Sequence, residues 1–134
     1  NAPTLMAERF NGLTNVFNAQ LQSVRTQRSA IVDSANAQIA TIARLNRQIS
    51  EAQATGQSAS TMIDARDQAI DDLASKMALD VSDNADGTRN VSLKTGQALV
   101  LGNLHGTLKA APTATNPQEF TLTFASTTYV LDAA

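Results

Sequence analysis

Residues 31–77 read IVDSANAQIATIARLNRQISEAQATGQSASTMIDARDQAIDDLASKM, and the fold turns on how that stretch divides. Thr55-Gly56-Gln57-Ser58 breaks it into two helical patterns. Gly56 suits the residue just past a helix end, and Ser58, Ser60 or Thr61 suits the next N-cap. After the break, Ile63, Ile70 and Met77 repeat every seven residues, with Leu73 between them and Met62 and Ala74 near the same face. That predicts a helix over about 60–78. So short a connection makes the two helices antiparallel neighbours.

Before the break, helical periodicity extends back almost to the start. Pro3 suits a first helical turn, where its missing N–H loses no internal bond. An unbroken heptad register places Phe10, Phe17, Val24, Ile31, Gln38 and Leu45 at one seam position. Thr14, Leu21, Arg28, Ala35, Ile42 and Ile49 take the other. Thr14, Arg28 and Gln38 interrupt this stripe, and Leu13 and Ile39 widen it. A helix over about 3–54 follows, roughly 75 Å long at about 1.5 Å per residue. Gly12 falls on its outer face at a cost of up to about 1 kcal/mol, which leaves open a start after it. The second helix can cover only the C-terminal part of the first. The stripe from Phe10 to about Ile31 therefore needs another helix, from outside this sequence or from another subunit.

From Leu79 the period changes to alternation. Leu79 and Val81 lead into Asp83-Asn84-Ala85-Asp86-Gly87, a hairpin turn centred on Asp86-Gly87. Val91 and Leu93 alternate with polar residues before a second turn, Lys94-Thr95-Gly96-Gln97. Ala98–Leu101 is a short strand ended by Gly102, and residues 104–110 form another. Residues 111–117 read as a loop, Phe120, Leu122 and Phe124 as a strand, and Thr127 to Leu131 as the last one. The fold class is α+β: a long helix paired antiparallel with a shorter one, then an antiparallel β-rich portion. The expected division is a helical rod domain at 1–79 and an outer β-rich domain at 80–134, incomplete as it stands. The sequence reads as a piece of a longer polypeptide.

Composition narrows the function. The 134 residues carry a formal net charge of −2, without the basic field that nucleic-acid binding needs. Charge is uneven: residues 1–56 hold five Arg against Glu8, Asp33 and Glu51, and residues 57–87 hold seven Asp against Arg66 and Lys76. There is no cysteine, hence no thiolate chemistry, disulfide or Cys-based metal site. No apolar run is long enough to span a membrane, and no cleavable signal pattern opens the chain.

The chemical candidates all have plainer readings. His105 is the only histidine and reads as a solvated or turn-edge residue. Asp64, Asp67, Asp71 and Asp72 spread around a helix and read as a solvated face. A calcium loop beginning at Ser82 fails, because its twelfth position is Leu93 rather than Glu. Arg66 lies between Ile63 and Ile70 on the apolar stripe. It can lay its stem there and offer its fork to a carboxylate or to helix-end carbonyls, so Arg66–Asp67 reads as a structural ion pair. No catalytic, cofactor-binding or metal-ligating residue is assigned, and no cofactor is expected.

Three motifs in order resemble the family of the first bacterial flagellar hook-associated protein, FlgK. Ile42, Leu45, Asn46, Gln48 and Ile49 match its I-x-x-L-N-x-Q-I helix. Met62-Ile63-Asp64-Ala65-Arg66-Asp67, continuing to Ile70 and Leu73, matches L-L-D-x-R-D-x-x-[IL]-x-x-L with two conservative changes. Gly96-Gln97-Ala98-Leu99-Val100-Leu101-Gly102 matches G-Q-x-L-V-x-G. The resemblance covers about residues 31–102. It implies a non-enzymatic structural subunit joining hook to filament, outside the cell and exported unfolded by the flagellar type III apparatus. Its partners would be copies of itself in a ring, the hook protein and the next hook-associated protein, with no nucleic acid and no membrane. The family's terminal heptad segments and returning C-terminal helix are absent here, so the chain alone is expected to be monomeric. The rival reading is a helical-hairpin adaptor or secretion-translocator module docking a partner channel. It predicts arms of similar length flanked on both sides by β structure, and the arms here are unequal.

Overall fold

The computed structural model describes residues 2–110, 120–124 and 127–131. Helix α1 runs Ala2–Ala54 and α2 runs Ser60–Ala74. Strands follow at Leu79–Asp83 (β1), Arg89–Leu93 (β2), Ala98–Leu101 (β3), Leu104–His105 (β4), Thr107–Ala110 (β5), Phe120–Phe124 (β6) and Thr127–Leu131 (β7). The expected loop at 111–117 lies outside the described residues. The chain forms two compact units, residues 1–31 and residues 32–134.

In the first unit the helix passes straight through Gly12, as the register over about 3–54 expects and not with the later start that Gly12 left open. An exposed glycine with nothing near its Cα weakens a helix without breaking it. Leu5-Met6-Ala7-Glu8-Arg9, just before it, are all good helix formers. Thr14 turns its hydroxyl back on the Phe10 carbonyl at 3.0 Å, so its polar atom is satisfied within the helix. The apolar stripe stands in solvent: Phe10 is 69% and Phe17 60% exposed, and Leu5, Met6, Leu13, Val16, Leu21, Val24 and Ile31 are exposed with them.

In the second unit α1 is covered on more than one side. Ala35, Ile42, Leu45 and Ile49 are buried as the heptad reading expects, with Ile39, which widens the stripe, but so are Val32, Ala43 and Asn46. Gln38 sits at the flank, its Oε1 accepting from Lys76 Nζ at 3.2 Å. A helix that meets another helix and strands buries a wider face than a coiled-coil seam does.

The first helix ends as Gly56 predicts. Gly56 has φ 73°. Gln57 N–H donates to Ala52 O at 2.8 Å and Gly56 N–H to Gln53 O at 3.2 Å, the two bonds of a Schellman turn. The next helix starts differently from expectation. Its N-cap is Ala59, with no side-chain cap. Ser58 and Ser60 share a hydrogen bond at 2.8 Å, and the buried methyl of Ala59 packs against Leu45, Ile49 and Ala52. The helix also stops at Ala74 rather than 78, because Leu79 is already paired with Leu93 and a turn must intervene. Successive contacts run from Ala52 with Ala59, through Asn46 with Arg66, to Gln38 with Lys76, so the pair is antiparallel.

The strands make two antiparallel meanders, β1-β2-β3-β4 and β5-β6-β7. The five-residue turn between β1 and β2 holds Gly87 at φ 91°. The next has Gly96 at φ 106°, with Leu93 N–H donating to Gln97 O. Residues 104–110 were expected as one strand and are two, divided at Gly106, where the chain leaves the first sheet for the second. Ile39, Ile42, Ile70 and Leu73 share one core with Val91, Leu99 and Val100 of the first sheet and Leu108 and Leu122 of the second.

Gly106 makes this corner possible. Its N–H donates to Leu99 O at 2.9 Å. A Cβ there would lie 2.9 Å from Leu122 Cδ1 and 2.9 Å from the backbone oxygen of Thr123. The backbone oxygen cannot step aside cheaply. Gly106→Ala is expected to destabilise the chain by about 1–3 kcal/mol in urea unfolding, and an unchanged midpoint would refute the crowding.

Candidate functional site

The densest polar construction lies in the second unit, where α1, α2 and the first sheet meet. Asn46 sits on the same helix stripe as Ile39, Ile42 and Ile49, so its amide is carried into the core and is fully buried. Its Nδ2 donates to Arg89 O and to Gly102 O, both at 2.8 Å. Its Oδ1 accepts from Arg89 N–H at 3.0 Å and from Arg66 Nη1 at 3.3 Å. One side chain thus makes four hydrogen bonds to three separate segments. That uses the whole capacity of a primary amide, two N–H donors and two oxygen lone pairs.

Arg66 enters from α2, between Ile63 and Ile70 along the chain, and is buried. Besides Asn46, its Nη1 donates to Gly87 O at 2.6 Å, in the β1–β2 turn. Its Nε reaches Asp67 Oδ1 at 3.1 Å. Asp67 also receives Arg89 Nη1 at 3.3 Å, and Arg89 Nε holds Asp83 at 2.6 Å. The expected Arg66–Asp67 pair is present, and the fork reaches a turn carbonyl rather than a helix end. Arg66 contributes through hydrogen bonds that satisfy a buried cation. The exposed Asp83 end adds little.

The turn is fastened again from its own side. Asn84 Nδ2 donates to Thr88 Oγ1 and to Asn90 Oδ1, both at 2.9 Å. Asn90 Oδ1 also accepts from Gly102 N–H at 2.9 Å. Thr88 donates to Asp86 Oδ1 from its hydroxyl at 2.6 Å and its backbone N–H at 3.0 Å. Those two bonds hold the Asp86 carboxyl below its usual range.

A second asparagine does the same work for the other sheet. Asn36 Nδ2 donates to Leu108 O, and its Oδ1 accepts from Leu108 N–H, both at 2.8 Å. The amide stands in for a neighbouring strand along β5.

This arrangement builds a frame and offers no reacting group. Its donors and acceptors are spent on one another. The adjoining open hollow, about 220 Å³, is lined by Arg47, Ser50, Glu51, Asp86, Thr88, Gly102 and Asn103. That is below the size of ordinary ligand sites, and both of its carboxylates are exposed. His105 is exposed on β4, its Nδ1 3.0 Å from Gly106 O. Asp64, Asp71 and Asp72 are exposed, while Asp67 belongs to the ion-pair network. Among the described residues no group of three His, Cys, Asp or Glu side chains converges as a metal would need. Among them, too, no helix is long and apolar enough to cross a membrane.

Asn46 was legible only as part of a motif. The heptad register set it outside the seam, although it falls seven residues after Ile39 and four after Ile42. A polar residue on that line was the available signal. Asn36 carried none.

The polar frame rests on Asn46, Arg66 and the Gly96–Gly102 segment, one residue or turn from each of the three motifs. A family model, the flagellar hook-associated protein FlgK helical domain, matches residues 2–133. The chain belongs to the FlgK family. Flagellar hook-associated protein 1 of Escherichia coli K12 is 32% identical over 122 residues, covering 84% of this chain and 22% of that protein. The protein of the same name in Salmonella typhimurium LT2 is 33% identical over 122 residues with the same coverage. The solved flagellar hook junction protein FlgK from Burkholderia pseudomallei superposes with a TM-score of 0.65 at 30% identity, over 84% of this chain and 19% of that one. The chain thus spans about a fifth of the length of these FlgK relatives.

Proposed function

We propose that this chain is part of a structural subunit of the bacterial flagellum that joins hook to filament. In that reading it works by packing and self-assembly and catalyses nothing. The observation that carries it is the exposed apolar stripe from Leu5 to Ile31, a surface that costs solubility unless another helix covers it. Membership in a flagellar hook-associated family supports the assignment, as does the likeness to the flagellar hook junction protein of Burkholderia pseudomallei.

The helical portion, 1–79, is the inner, load-bearing part. The strands of 80–134 form the outer part, fixed to the helices by Asn36, Asn46 and Arg66 so that the two turn together. The partners are further copies of the subunit, the hook protein and the next hook-associated protein. The site of action is the flagellum outside the cell, reached by flagellar type III export. The test is a strain lacking the gene. It is expected to build hooks but to shed its filaments, with both restored by the full-length protein. Filaments attached at the normal frequency in that strain would refute the reading.

A further inference from the structure

Both sheets grow in one sense. Each strand pairs with the one before it, and the growing edge of the second sheet is β7. Natural sheets guard such edges with charge, brevity, proline, bulges or a covering group, because unpaired N–H and C=O groups recruit other strands. Three of the four edges among the described residues are guarded in these ways. The outer strand β1 carries Asp80 and Asp83, with Asp83 held by Arg89. The strand β4 is only two residues long. The edge of β5 is occupied at Leu108 by Asn36 and bears Lys109.

The fourth edge, β7, has none of these devices among the described residues. Thr127-Thr128-Tyr129-Val130-Leu131 contains no charge, no proline and no glycine. It pairs with β6 residue for residue, from Phe120–Leu131 to Phe124–Thr127, without a bulge. Tyr129 is exposed on the face that carries Leu131, and Val130, 63% exposed, stands on the opposite face. An unbulged, five-residue, uncharged edge with a branched side chain in water is what a further strand would pair with.

We infer that β7 is an internal strand in the full-length protein and that its free edge is filled by a strand from the polypeptide following residue 134. The matched stretch is 22% of the length of the E. coli relative, so the family supplies ample chain. Consecutive strands pair in most sheets, and both meanders here follow that rule. A strand added by a short hairpin after Leu131 extends the second meander with no crossover. The inference does not depend on the junction role and goes beyond it.

Hydrogen–deuterium exchange on the full-length protein tests this. In an edge strand, alternate amides point to solvent and exchange rapidly, whereas in an internal strand all are bonded. The expected result is that every amide in a peptide covering Thr127–Leu131 exchanges as slowly as those of β6, at all protein concentrations. About half of the β7 amides exchanging at the rate of unstructured chain would overturn the inference. Protection that disappears on dilution would also overturn it, since the edge would then belong to a second copy. Either result leaves the filament-shedding test untouched.

Discussion

Asn46→Leu is expected to destabilise the chain by about 3 kcal/mol or more, although leucine restores nearly the same volume in the same apolar stripe. The reason is what the amide leaves behind. Without it, the carbonyls of Arg89 and Gly102 and the N–H of Arg89 lose their buried partners. Each unsatisfied buried group costs about 1–3 kcal/mol, with local relaxation recovering part. Asn46→Asp is not a rescue. It keeps the two accepting contacts but turns a carboxylate oxygen on two carbonyls that now receive hydrogen bonds at 2.8 Å. Arg66→Met, which keeps the stem and loses the fork, strips Gly87 O of its 2.6 Å donor and is expected to cost a similar amount. Because the two side chains touch, the double variant should cost less than the two single effects together, by about 0.5 kcal/mol or more. Urea unfolding of the four proteins checks this. Asn46→Leu within about 1 kcal/mol of the parent would mean that the polar frame contributes little.

The other large effect is on assembly. Phe10→Asp combined with Phe17→Asp should leave the stability of the 134-residue chain within about 0.5 kcal/mol, because both rings already stand in solvent. In the full-length protein the same pair should abolish filament attachment. A seam that packs against a helix would then bury two unpaired carboxylates, at several kcal/mol each. Scoring attached filaments in a complemented deletion strain, beside thermal unfolding of the chain, separates assembly from folding. Normal filaments with both aspartates in place would show that the stripe is not a packing surface. Phe10→Leu with Phe17→Leu keeps the stripe apolar and should retain filaments, which guards against a general loss of expression.

These two predictions draw on different parts of the molecule, and they were legible to different degrees. The stripe follows from spacing alone: Phe10, Phe17, Val24 and Ile31 are seven residues apart, and the second helix is too short to reach them. The same period located α2, and the glycines at 56, 87, 96 and 102 located four chain reversals. All four have positive φ, which other residues adopt at a cost. The Arg66–Asp67 pair was also readable, since an arginine among seam isoleucines has few other places to put its fork.

Local pattern therefore determined where the elements lie, which face of each is apolar, and that the stripe before Val32 lacks a cover. Those are properties of neighbouring residues, with periods of two, three and a half or four. Only the tertiary structure decided that Asn46 and Asn36 are the fastenings, that Ala59 caps α2 by packing rather than by a hydroxyl, and that Gly106 splits one expected strand into two sheets. The asparagines depend on partners brought from 43 and 72 residues away, Ala59 on packing against the preceding helix, and Gly106 on the space left beside a backbone oxygen. A hydrogen bond to a backbone group leaves no trace in the identity of the residue that offers it, so Asn36 gave no sign in the chain and Asn46 only that of a polar residue on the apolar line.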